Sequence, residues 1–238
     1  MSVDIAGLID HTNLKPYASL AEIEKLIREA AQFGTYAICI NPIYAKFARN
    51  RIREDGLNLR IAVVVDFPFG SSTTEARIDM IKQYAMFADE LDTVAPIGLI
   101  KSGLIEDAEH DMAALVETAH SLGSIIKIIA EDAYTTRDEK LALYKIIMKS
   151  GADFIKTSTG FEDGQYAVLL GNKTGAQVEN VRLMAELSKQ YNPRIGIKAS
   201  GGIRSYEQAI ELLRASGRPA VPNQFRIGAS KTREILGK

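Results

Sequence analysis

Apolar positions in this chain fall into eight short runs, and each run is followed by a longer stretch in which apolar positions recur with a helical period. The runs are GLIDH from Gly7, YAICI from Tyr36, RIAVVVDF from Arg60, ELDTVAP from Glu90, IIKIIAE from Ile125, ADFIKTS from Ala152, RIGIKAS from Arg194 and QFRIGAS from Gln224. They predict strands. Between them, Leu20, Ile23, Ile27, Ala30 and Ala31 share one helical face, as do Met112, Leu115, Val116 and Ala119. Helix starts are marked by the spacing Ser/Thr-x-x-Glu/Gln, which predicts capping boxes at Ser19 with Glu22, Ser72 with Glu75, Thr136 with Glu139, Thr174 with Gln177 and Ser205 with Gln208.

Strands that alternate with helices imply a parallel sheet with right-handed crossovers. Eight such units in 238 residues match the size and count of a closed (β/α)8 TIM barrel, an α/β fold, and predict one domain over residues 1–238. An open doubly wound sheet is the rival. It carries a Gly-rich phosphate loop after its first strand, whereas DHTNLKP follows the first strand here. The glycine-rich turns come after the seventh and eighth strands, where barrels build phosphate sites.

Alternation along each strand separates two faces. Phe154, Lys156 and Ser158 share one face; Gly196, Lys198 and Ser200 share another; Glu90, Asp92 and Val94 go together, as do Ile125, Lys127, Ile129 and Glu131. Aliphatic faces belong under helices, so the faces with charges point into the barrel. Its mouth is then expected to collect Asp10, Asp66, Asp92, Lys127, Lys156 and Lys198, three acids and three bases. Such balance is physically sensible, because unpaired buried charge is costly.

A charge-balanced plug that only fills the barrel end is one reading of this set. Arginine suits a plug better, since it holds its charge and forks onto carboxylates. Lysine suits chemistry, because its pKa moves on burial. Lys156 and Lys198 end neighbouring strands in matched register, and two ammonium groups so close in a partly dry site do not both stay charged cheaply. Depressing an amine by about three units costs ~4 kcal/mol, within reach of burial plus a like charge. A neutral amine is a nucleophile for a carbonyl and gives a Schiff base. The pattern leaves open which of the two lysines attacks. Lys127 is expected as a relay member or as the neutralising partner of Asp92, Glu131 as a group that orients a lysine, and His11 as a hydrogen-bonding partner in the first loop. Tyr134 and Tyr166 fit the pocket mouth or surface packing equally.

KASGGIRS follows the seventh strand and RIGASKTRE the eighth. Gly201 and Gly202 let backbone N–H groups approach an anion closely. Gly228, Ala229 and Ser230 lead into an expected helix N-terminus, where free N–H groups and the helix dipole favour negative charge. Arg204 and Lys231 add positive charge. Either loop alone is an ordinary tight turn; the pair, at these two strand ends, predicts a phosphate site.

Composition excludes several classes. Lys+Arg is 29 against Asp+Glu 30, so no basic field would hold a nucleic acid. No apolar run approaches the roughly 18 residues of a membrane span, and MSVDIAGLID lacks the basic and apolar regions of a signal peptide. The single cysteine, Cys39, allows no intramolecular disulfide, fits a reducing cytoplasm and reads as a small core residue. His11, His110 and His120 are scattered, so no His-based metal site is expected. With 46% hydrophobic residues the chain buries a sizeable core.

The segments LIDHTNL, AICINP, DFPFG, DELD, GADFIKTSTG, IKASGGIR and FRIGAS occur in this order. Together they resemble the deoxyribose-phosphate aldolases, class I aldolases on a (β/α)8 barrel, and the similarity runs over nearly the whole chain. The resemblance implies reversible cleavage of 2-deoxyribose 5-phosphate to glyceraldehyde 3-phosphate and acetaldehyde. It implies that the lysine of FIKTSTG, Lys156, is the Schiff-base nucleophile, that the lysine of IKASGG, Lys198, perturbs it, and that the second aspartate of DELD, Asp92, joins the proton relay. Asp10 would lie in the same network and Cys39 would line the pocket. Lys127, Thr159, Gly160, Gly201, Gly202, Arg204, Gly228 and Ser230 complete the expected substrate contacts. No metal or organic cofactor is implied, because the lysine becomes the electron sink once it forms an iminium. The expected partners are a sugar phosphate, an aldehyde and further copies of the chain in a dimer, in the cytoplasm, with no nucleic acid and no membrane.

The chain also departs from the family pattern. FEDGQYAVLLGNKTGAQ, after Gly160, is longer than the family's short Gly-rich loop and is expected to cover the pocket or alter which aldehyde enters. Lys231 stands where some members carry a second serine, DTVAPIG is less aliphatic than the family pattern, and the short tail lacks a terminal tyrosine. Two other readings follow: a class I aldolase for another short sugar phosphate or related carbonyl, and a non-catalytic phospho-sugar-binding barrel.

Overall fold

The computed structural model describes residues 3–238, so the first two residues of the expected 1–238 unit lie outside it. Among the described residues, eight parallel strands pair in chain order and close on themselves. They are β1 (Ile9–Asn13), β2 (Ala37–Ile40), β3 (Arg60–Val65), β4 (Glu90–Val94), β5 (Ile125–Ile129), β6 (Phe154–Lys156), β7 (Gly196–Ser200) and β8 (Phe225–Ala229), with β8 pairing back onto β1. Each apolar run of the sequence contains or overlaps one of them. The helices are α1 (Leu20–Phe33), α2 (Ala45–Glu54), α3 (Thr74–Tyr84), α4 (Ile97–Lys101), α5 (Ile105–Ser121), α6 (Arg137–Lys149), α7 (Gly164–Leu169), α8 (Val178–Tyr191), α9 (Tyr206–Ser216) and α10 (Thr232–Ile235). No helix among the described residues is long and apolar enough to cross a membrane.

The predicted caps divide by what else claims their side chains. Ser19 with Glu22 and Thr136 with Glu139 form complete capping boxes. Ser205 accepts from the Gln208 amide, but the Gln208 side chain turns to the Arg204 amide instead. Ser72 does not cap α3, because both its amide and its hydroxyl are bound by the Asp66 carboxylate; Thr73 takes the role and accepts from the Ala76 amide. Thr174 does not cap α8, which starts after Gln177 with no side-chain cap.

The two faces of the sheet separate as alternation predicts. Ile38, Ile61, Val63, Leu91, Ile126, Ile128, Ile155, Ile197 and Ile227 are fully buried under the helices, where Ile23 and Ile27 of α1, Leu115 of α5 and Met184 of α8 meet them. Each such side chain contributes ~1.5–3 kcal/mol. Facing inward are Glu90, Phe154, Lys127, Lys198 and Arg226, and they require space opposite them. A Cβ on Gly196 would stand 2.3 Å from Cε1 of Phe154, so glycine at that position makes room for the ring inside the barrel. A small apolar cluster of Leu14, Cys39, Ala62 and Val64, with Phe67 against it, fills the β1–β3 side of the mouth.

Candidate active site

Register brings the charges together. Lys156 on β6 pairs with Lys198 on β7, and Asp92 on β4 pairs with Lys127 on β5. Asp92 is fully buried and meets three lysines: its Oδ1 accepts from Lys127 at 2.6 Å, and its Oδ2 accepts from Lys156 at 2.9 Å and from Lys198 at 2.7 Å. Lys198 also donates to Asp10 Oδ2 at 2.5 Å, and Lys127 lies 2.6 Å from Glu90. Beneath them Arg226 pairs with Glu90 and reaches Asp10 Oδ1 at 3.4 Å, while its guanidinium lies 3.8 Å from the centre of the Tyr36 ring.

The expected membership of the mouth needs one correction. Asp66 is not in this network. It takes a left-handed backbone (φ 46) after β3, binds Ser72 and lies 3.5 Å from Nε of the buried Arg77, which also pairs with Asp111 at 2.5 Å. Glu90 and Arg226 take its place. Sequence alternation already carried both signals: Glu90 shares a face with Asp92, and Arg226 shares one with Gly228.

The network therefore holds three carboxylates, Asp10, Glu90 and Asp92, and four bases. Burial works against the charge on Asp92, but the three lysines outweigh it and hold its carboxyl well below the usual range. Burial likewise opposes the charge on Asp10, and Arg226 and Lys198 outweigh it, so its value is lowered. Among the bases, burial disfavours the charged forms of Lys198, Lys127 and Arg226, but the carboxylates facing them raise all three above their ordinary values. Lys198 is thus held as an ammonium, not pushed toward the neutral amine. Three committed cations match three carboxylates, which leaves Lys156 as the surplus base of the cluster.

A cavity of about 510 Å³ opens above the network. Lys156 and Lys198 border it together with Thr159, Gly160, Gly201, Gly202, Arg204, Gly228 and Ser230. Asp92, Asp10 and Lys127 lie behind the two lysines with no exposed surface. Cys39 is also behind the wall, and burial raises its thiol. Phe67 approaches from the β3 side, with the centre of its ring 5.9 Å from Lys156 Nζ.

The two glycine turns are built differently. Gly201 has φ 93, and a Cβ there would lie 2.9 Å from Gly175 Cα. Among the described residues the amides of Gly202 and Ile203 find no acceptor, so both remain available to an anion. Gly228 instead makes room: a Cβ would stand 2.7 Å from Ser200 Cβ and 3.2 Å from Lys198 Cε. The expected helix N-terminus after Ser230 is a single turn, α10, and Lys231 turns away to Glu234 at 2.9 Å.

The long segment after Gly160 folds back on the barrel. Asp163 caps α7 through the amides of Gln165 and Tyr166. The Asp163 amide donates to the Tyr134 hydroxyl, and the Tyr134 and Tyr166 rings meet edge to face, so these tyrosines brace the loop. The Ala176 amide donates to the Gly201 carbonyl at 3.0 Å. Phe161 packs edge-on against Phe67. Glu131 orients no lysine; its carboxylate binds Thr159. His11 belongs to β1 itself and bonds Thr232 at 2.7 Å. Lys127, bonded to Asp92 and Glu90, is a neutralising partner behind the cavity wall. No group of three or more His, Cys, Asp or Glu among the described residues is placed to hold a metal ion.

Comparison with known proteins gives a consistent result. A family model described as DeoC/LacD family aldolase matches residues 5–238. The deoxyribose-phosphate aldolase of Thermoplasma volcanium is 46% identical over 231 residues, which cover 97% of this chain and 92% of that one. The corresponding protein of Thermococcus gammatolerans is 41% identical over 237 residues, 99% and 96% of the two chains. The tetrameric structure of deoxyribose phosphate aldolase from Aeropyrum pernix matches with a TM-score of 0.80 at 28% identity, over 98% of this chain and 90% of that one.

Proposed function

The chain belongs to the DeoC/LacD family of aldolases and is a lyase acting on deoxyribose phosphate, and we propose that it does so through an iminium on Lys156. One observation carries this assignment. Of the seven charged side chains in the network only Lys156 and Lys198 border the cavity, and Lys198 is already committed between two carboxylates.

The sugar binds with its phosphate at the Gly201–Gly202 and Gly228–Ser230 turns and its C1 carbonyl at Lys156. The free amine of Lys156 adds its lone pair to C1, and the carbonyl oxygen takes a proton to give a carbinolamine. Lys198 supplies a proton to the leaving hydroxyl, water departs and the iminium forms. Asp92 touches both lysines through one oxygen, at 2.9 and 2.7 Å, so it carries protons between them directly behind the cavity wall. Loss of the C3 hydroxyl proton then breaks the C2–C3 bond. Its electron pair flows into the iminium, glyceraldehyde 3-phosphate leaves, and an enamine remains on Lys156. Protonation at C2 restores the iminium, and water releases acetaldehyde and the amine.

The test is borohydride trapping with 2-deoxyribose 5-phosphate, followed by intact mass and peptide mapping. The expected result is a reduced adduct on Lys156 that is absent in Lys156→Ala. An adduct formed only with another aldehyde moves the substrate. No adduct with any carbonyl overturns the mechanism. A cytoplasmic homo-oligomer, a dimer or larger, belongs to the same reading: the Aeropyrum pernix relative is described as tetrameric, and Ile43 and Leu169 are 81% exposed here. Light scattering of the purified chain checks it, and a monomer at micromolar concentration refutes it.

A further inference from the structure

Glu131 is a buried carboxyl that the proposed mechanism does not use. It is 1% exposed and lies just past β5 in a left-handed backbone conformation (φ 48), which an L side chain adopts at a cost. Both its oxygens are aimed at one residue of the cavity wall. Oε1 accepts from the Thr159 amide at 3.2 Å, and Oε2 lies 2.5 Å from Thr159 Oγ1. The charged and titratable groups that face it are Glu162 from the β6–α7 loop and Asp132 and Tyr134 from the turn that follows it. None of them is a cation, and no ion pair reaches Glu131 among the described residues.

The hydrogen-bond inventory of Thr159 turns this geometry into a switch. Its Oγ1 has two lone pairs and one proton. The Phe161 amide donates to one lone pair at 3.0 Å. When Glu131 is neutral, its O–H donates to the other, and the Thr159 hydroxyl proton is left for the cavity. When Glu131 is ionised it has no proton to give, so the Thr159 hydroxyl must donate back to it. The cavity then loses a donor and gains a negative charge behind its wall.

We propose that Glu131 is a positioning residue that sets the donor direction of Thr159, so that an anionic substrate binds well when Glu131 is neutral and poorly when it is ionised. The inference rests on the reading of this cavity as a sugar-phosphate site. Burial, opposed by the Thr159 hydrogen bonds and reinforced by Glu162 and Asp132, pushes the Glu131 carboxyl up to about 8, which places the switch just above neutrality.

The experiment measures KM and kcat for 2-deoxyribose 5-phosphate from pH 6.5 to 9.5, together with the Kd of inorganic phosphate over the same range. In the unaltered protein both KM and the phosphate Kd are expected to rise about tenfold between pH 7 and pH 9, with little change in kcat. Glu131→Gln keeps one acceptor and one donor at every pH, so the rise disappears. Thr159→Ser keeps the rise. Thr159→Val binds phosphate weakly at all pH values and shows no rise. Phosphate binding does not depend on turnover: a chain that binds phosphate with this dependence but cleaves no sugar sinks the aldolase reading and leaves the switch standing. The same rise in Glu131→Gln or in Thr159→Val overturns the inference. So does a loss of kcat at unchanged KM in Glu131→Gln, which would make Glu131 a proton carrier in the chemistry.

Discussion

Asp92→Asn is the sharpest perturbation of the site, because one carboxylate holds the Nζ atoms of three lysines at 2.6–2.9 Å. Asparagine has the same shape, so the packing survives and the change is one of charge. Removing one partner of a buried ion pair costs ~3–5 kcal/mol, because the remaining charge is left uncompensated. Here the loss falls on a cluster that already has one base in surplus, so the upper part of that range applies. With a urea slope of about 1–3 kcal/mol per molar, the unfolding midpoint should fall by ~1–5 M. The fall should be seen at neutral pH and should shrink in acid. The folded-state value of Asp92 lies well below its unfolded one, so its contribution is present above the ordinary carboxylate range and is lost as pH drops below about 4. In turnover, loss of the proton carrier between Lys156 and Lys198 should lower kcat by about 10²–10⁴-fold. Borohydride should still trap an adduct on Lys156, slowly. A variant with near-normal kcat and an unshifted urea midpoint would falsify both the relay and the electrostatic account.

Two glycines give further tests, one of the packing and one of the phosphate turn. Gly196→Ala drives a methyl into the Phe154 ring inside the barrel, and the overpacking should cost ~1–3 kcal/mol, a drop of several degrees in Tm by calorimetry; an unchanged Tm would mean that Phe154 moves freely. Gly201→Ala combines an unfavourable φ of 93 with a clash against Gly175, so it should raise KM for the phosphorylated sugar several-fold and leave cleavage of 2-deoxyribose itself unaltered. Equal effects on both sugars would remove the phosphate from this turn.

Most of the barrel was legible because period-two alternation and helix-start spacing are local signals. All eight strands overlap apolar runs, and the inward register of Lys156, Lys198, Asp92 and Lys127 follows from alternation alone. The errors share one cause, which is competition from partners outside the local pattern. Ser72 has the spacing of a cap but is taken by Asp66 six residues earlier. Asp66 ends an apolar strand run as Asp92 nearly does, yet its left-handed backbone carries its carboxylate to Arg77. Glu131 follows Lys127 on an inward face but turns in the same left-handed way, out of the lysine network and onto Thr159. A strand pattern assumes extended backbone, and both residues leave the pattern where the backbone does.

Those two turns also explain why the bases of the site outnumber its carboxylates. If Asp66 and Glu131 continued their strands inward, five carboxylates would meet four bases, and every lysine would be held by a partner. With both acids diverted, three carboxylates meet four bases, and the surplus falls on the lysine at the cavity wall with the fewest carboxylate contacts: Lys156 touches only Asp92, whereas Lys198 touches Asp10 and Asp92, and Lys127 touches Asp92 and Glu90. A nucleophilic amine needs to be the base that the network releases most easily. In the proposed mechanism the reactivity of Lys156 would depend on two left-handed residues, one after β3 and one after β5, that keep negative charge away from it, and Glu131, diverted from the lysines, binds Thr159 instead.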